Sequence, residues 1–91
     1  MSVLEQIAEK IVKEQELVIG PLAWSEARKV SGITANEAGG EIKISGSKEV
    51  IDQLVARYER LFGRASQEVC KEAAASLIAQ MQPAEIPSSV R

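Results

Sequence analysis

The chain is predicted to fold as a single small α+β domain, mostly helical, in the order helix, short helix, β-hairpin, then a long kinked helix or two helices. Three observations predict it. Apolar residues recur at i, i+3, i+4 and i+7 between Ser47 and Met81, where Ile51, Leu54, Val55, Tyr58, Leu61, Phe62, Ala65 and Val69 form one stripe. A matching stripe opens the chain, carried by Leu4, Ile7, Ala8, Ile11, Val12, Val18 and Ile19. Between the two, Glu41-Ile42-Lys43-Ile44-Ser45 alternates as a half-buried strand should.

The first helix begins at Ser2, which with Glu5 makes a capping box: hydroxyl and carboxylate satisfy the first free backbone donors. The subset Leu4, Ala8, Ile11, Gln15 and Val18 steps by four and three residues, the spacing of a coiled-coil seam. Gly20-Pro21 stops this helix and starts a short one that reaches about Val30, because glycine suits a C-terminal cap and proline a first turn. Ser31-Gly32 ends the short helix. Ile33-Thr34 pairs with the second strand across a turn containing Asn36 and Gly39-Gly40, residues that readily supply positive φ. Ser47 is the expected N-cap of the next helix, with Glu49 and Asp52 suiting its dipole. The stripes before and after Gly63 differ by roughly a quarter turn on a helical wheel, so a kink or break is expected there. Cys70, Ala73, Leu77 and Met81 carry the later stripe, and Ser66 is a candidate cap for a separate final helix. Residues 82–91 contain two prolines and no period, and are expected to be a flexible tail after a domain spanning 1–81.

Composition excludes several functions. The only cysteine is Cys70 and histidine is absent, so an intramolecular disulfide, a Cys/His zinc site and a histidine-based triad are ruled out within one chain. Cys70 reads as a small buried hydrophobe. No cofactor or metal is expected, and no enzymatic activity. The net charge is −2 with both signs interspersed, which argues against a surface held by nucleic-acid phosphates. The N-terminus is acidic and amphipathic, unlike a signal peptide, and no apolar run spans a bilayer; a cytoplasmic protein without membrane contact is expected.

What remains points to association. Trp24, Tyr58 and Phe62 are the only aromatics in 91 residues, and an aliphatic core this thin favours helices that complete their burial against another chain. Gln15 stands in the middle of the first seam, where a polar residue can fix register between paired helices. Ile11 and Val18 flank it. Trp24 with Arg28 one turn later joins two residue types enriched at interface hot spots, against the plainer reading that Trp24 closes the core edge. Ser45-Gly46-Ser47-Lys48 is a weak anion-binding cue at a helix start, led by Ser47 and Lys48; the spacing is not that of a P-loop, and a plain turn explains it. The expected function is therefore a non-catalytic protein–protein interaction or regulatory module, self-associating as a homodimer through amphipathic helices and open to another protein partner. The alternative is a nucleic-acid-associated regulator, since helix, turn, helix and hairpin are similar in outline to a winged helix. The segment after Gly32 lacks the Lys and Arg such a surface needs.

Overall fold

The computed structural model describes residues 2–91; Met1, placed at the start of the domain by the sequence reading, lies outside them. Four helices and one antiparallel hairpin form the domain: α1 (Val3–Ile19), α2 (Leu22–Arg28), β1 (Ile33–Asn36), β2 (Glu41–Ile44), α3 (Glu49–Phe62) and α4 (Arg64–Ile78). Two short 3-10 turns, Pro83–Glu85 and Ser88–Val90, follow.

The capping box at α1 is formed, with the Glu5 N–H donating to Ser2 Oγ and the Ser2 N–H to Glu5 Oε1, both at 3.1 Å. Helix α1 ends at Gly20, whose φ of 70° a side-chain-bearing residue adopts only with strain. The expected kink between α3 and α4 is a full break at Gly63, φ 89°, which resets the helix axis and accounts for the rotated stripe. Two expected caps are not used. Helix α3 starts at Glu49, because Ser47 Oγ donates to the charged Glu49 carboxylate and does not accept from a first-turn N–H. Helix α4 starts directly after Gly63, which leaves Ser66 buried inside its first turn.

In the hairpin, Ile33 pairs with Ile44, Thr34 with Lys43, Ala35 with Ile42 and Asn36 with Glu41. Ile33 and Ile42 are buried while Thr34, Lys43 and Glu41 are exposed, so one face packs inward. Beyond the last pair, the Ser45 N–H donates to the Gly32 carbonyl at 2.8 Å. A Cβ on Gly32 would come within 2.7 Å of the Ser45 carbonyl oxygen, so this close approach requires glycine.

The outer edge of β2 faces α1. Glu9 Oε2 accepts from the Ile42 N–H at 3.1 Å and Glu5 Oε2 from the Ile44 N–H at 2.9 Å. The match is geometric: four helical residues rise about 6.0 Å and two strand residues about 6.6–6.8 Å. Two carboxylates one turn apart therefore reach successive outward N–H groups and cover an edge that would otherwise be free to pair. The Ile44 N–H, with the Ser2 N–H, holds the Glu5 carboxyl below its usual range.

Helix α1 is the hub of the core. Ile7, Ala8, Ile11, Val12 and Gln15 are fully buried, against α4 on one side and the hairpin and α2 on others. Helices α1 and α4 run antiparallel, Gln15 meeting the start of α4 and Leu4 lying with Met81 at its far end. The segment expected to be a flexible tail instead returns to the core. Val90 is 1% exposed, and Asp52 accepts from the Ser89 N–H at 2.9 Å and from the Ser89 and Ser88 hydroxyls. The prolines that break periodicity here shape two turns which carry Val90 inward.

Two outcomes are expected. In Glu5→Ala and Glu9→Ala, hydrogen exchange at the Ile44 and Ile42 amides respectively accelerates by an order of magnitude or more relative to the rest of the hairpin. Truncation after Gln82 lowers unfolding free energy in urea by about 2–4 kcal/mol, since it removes one buried Val side chain and the bonds to Asp52. A mobile tail would give no change.

Candidate functional site

The residues singled out by the sequence divide into an inner and an outer set. Ile11 and Gln15 are inside: the seam of α1 is closed by α4 of the same chain. Gln15 is 0% exposed; its Nε2 donates to the Ser66 carbonyl at 3.1 Å and lies 3.4 Å from Cys70 Sγ. The Ser66 carbonyl can only accept, which fixes the amide orientation and leaves Gln15 Oε1 buried without a partner among the described residues. Within the chain, Gln15 therefore ties α1 to the start of α4. Cys70 is buried as expected, and burial pushes its thiol up to about 11, the Gln15 hydrogen bond offsetting only part.

Trp24 is 2% exposed and closes the core from α2; buried in its own chain, it is not available as a surface anchor. Tyr58, also fully buried, donates its hydroxyl to the Ala23 carbonyl at 2.6 Å and thereby locks α3 to α2. Burial raises the Tyr58 hydroxyl well above the ordinary phenol range. Arg28 is exposed, its guanidinium 3.9 Å from the Glu37 carboxylate, an arrangement of little energetic weight. Lys48 Nζ donates to the Ala84 carbonyl at 2.6 Å, while Ser47 is engaged by Glu49, so both members of the anion cue have internal partners.

The outer set is Val18 and neighbours that the sequence reading did not group with it. Leu17 is 81% and Val18 66% exposed, and Leu22 and Leu61 are exposed as well. All four sit on helix ends that the Gln15–Ser66 bond and the short α1–α2 and α3–α4 links place at one end of the molecule. Leu17 and Val18 close α1 where it meets Val69 at the start of α4. Leu22 adjoins Ala23, to which Tyr58 is bonded, and Leu61 lies one turn beyond Tyr58. Isolated exposed leucines are ordinary, but four large apolar side chains gathered at two helix junctions are a candidate docking surface. The chain matches no known protein family, no curated protein and no solved structure.

On another face, Glu26 is buried on α2 beneath two cations. Lys29 Nζ stands 3.1 Å from its Oε2 and Arg57 Nε 2.7 Å from its Oε1. The Lys29 hydrogen bond is the main cause that holds the Glu26 carboxyl below its usual range, with Arg57 adding to it against the cost of burial. No described helix is long and apolar enough to cross a membrane, and the described residues hold no cluster of metal-ligand side chains.

Three expectations follow. Gln15→Met, which removes the unpartnered oxygen together with the amide donor, leaves unfolding free energy within about 1 kcal/mol of wild type or raises it. Cys70 reacts with a thiol reagent in the native protein at least a hundredfold more slowly than in denaturant. Because the folded Glu26 binds its proton less readily than the unfolded one, its contribution is complete above the unfolded value of 4.5 and is lost as pH falls through the lower folded value. Melting temperature therefore drops on acidification below that point, less steeply in Glu26→Gln.

Proposed function

We propose that the protein is a non-catalytic interaction module whose apolar end, at the α1–α2 and α3–α4 junctions, docks on a second copy of the chain. The observation that carries the reading is the exposure of Leu17, Val18, Leu22 and Leu61 at that one end. It revises the route of self-association expected from the sequence: the stripe of α1 around Ile11 and Gln15 is consumed inside the chain, and only its last turn is left for a partner.

Charge favours a second copy as the occupant. Glu14 and Glu16 border the apolar end on α1, and Arg64 borders it at the α3–α4 junction. None of these three takes part in an ion pair among the described residues. In a two-fold pairing each patch meets its own image, so an apolar centre flanked by acid on one side and base on the other is self-complementary. A uniformly charged rim would repel its image.

Light scattering between about 10 μM and 1 mM is expected to show a wild-type dimer that Leu17→Glu and Val18→Glu each convert to monomer, with the melting temperature of the monomer intact. Gln15→Met is expected to leave the stoichiometry unchanged. A monomeric wild type over that range, or a dimer indifferent to both glutamate substitutions, would overturn the proposal.

A further inference from the structure

A cavity of about 480 Å³ opens between the end of α2 and the outer face of α3, lined by Lys29, Ser31, Gln53, Arg57 and Arg60 around an apolar floor at Val30. It lies on a different part of the surface from the apolar end and owes nothing to it. What distinguishes it from an ordinary basic patch is the buried Glu26. Through Oε1 this carboxylate receives Arg57 Nε, and through Oε2 it receives Lys29 Nζ. A guanidinium bound through Nε keeps both terminal amino groups, with four N–H donors, for another acceptor, and its plane is set in advance. Arg57 makes no other hydrogen bond among the described residues, and Arg60, one turn further on α3, makes none.

Charge decides what the cavity suits. Three cations line the groove around one buried carboxylate, which leaves an excess of two positive charges at a mouth where Lys29 and Arg60 are exposed and Arg57 half-buried. A single carboxylate ligand neutralises half of that excess, whereas a phosphate monoester, close to doubly charged at neutral pH, neutralises all of it. The oxygens of a phosphate also match the planar fork of arginine for two-point hydrogen bonding. Ser31 Oγ and the Gln53 amide supply neutral donors at the rim. We infer that the Lys29–Arg57–Arg60 cavity is a binding site for a phosphate monoester, with Glu26 as the positioning residue that presents Arg57.

The test is an NMR titration of the isotopically labelled protein at pH 7.5 and constant ionic strength. Its ligands are inorganic phosphate and phosphoserine as monoester-type dianions, and dimethyl phosphate as the singly charged diester found in nucleic-acid backbones. Arg60→Gln is the principal variant, since Arg60 is exposed and supports nothing in the fold; Lys10→Gln, on α1, is the control. The expected result is saturable shifts confined to residues 29–31 and 53–60, at least tenfold tighter for the dianions than for dimethyl phosphate. Arg60→Gln should weaken them at least fivefold without a change in melting temperature, and Lys10→Gln should leave them alone. Shifts that fail to saturate, that spread equally to Lys10 and Lys48, or that persist in Arg60→Gln would overturn the site. Equal or tighter binding of the diester would overturn its assignment to a monoester.

Discussion

Everything in this fold depends on burying α1 on more than one side. A helix in an isolated helical pair covers one stripe; α1 meets α4, α2 and the hairpin at once, and five of its residues lose all contact with solvent. Such a helix must present polar groups only where a neighbour can answer them. Its answers are specific. Glu5 and Glu9 complete the outer edge of β2, and Gln15 bonds the Ser66 carbonyl at the first turn of α4. The hairpin, only four residues a strand, is too small to persist alone and gains both its apolar floor and its edge partners from this helix.

Most of the architecture was legible because it rests on local chemistry. Helical periods, the Ser2–Glu5 box, the stop at Gly20 and the alternation of Glu41 to Ser45 are all written over a few residues, and each appears where expected. Gly63 was legible as an interruption through the rotated stripe. What the sequence hid is long-range. Nothing local says that Val90 returns to the core, since two prolines and a lack of period describe a docked irregular segment as well as a loose one. A coiled-coil spacing on α1 equally describes a helix paired with a second chain and one paired with α4. Here α4 of the same chain covers that stripe.

The surfaces were less legible than the core. Trp24 drew attention by its type, yet its bulk closes the core between α2 and the rest. Leu17 and Leu22 drew no notice in sequence and Leu61 was read as part of the core stripe, though it is exposed in the fold; the three belong to different helices, and the antiparallel course of α1 and α4 brings those helix ends to one end of the molecule. The basic cavity was masked for a similar reason. Averaged over its helix, α3 is if anything acidic, with Glu49, Asp52 and Glu59 against two arginines, but Arg57 and Arg60 share a face that turns toward Lys29, and the compensating Glu26 sits underneath. The i, i+3 spacing of the two arginines is the one local trace of it in the sequence.

The α1 stripe is internal, whereas Leu17 and Val18 in its last turn are exposed and are the proposed docking end. The most direct measurement is an isotope-filtered nuclear Overhauser experiment on a mixture of labelled and unlabelled chains near 1 mM. The account predicts intermolecular contacts among the methyl groups of Leu17, Val18, Leu22 and Leu61, with none to Ile7 or Ile11. Intermolecular contacts to Ile11 would show that the α1 seam opens to a second chain, and an absence of any intermolecular contact would contradict docking at the apolar end.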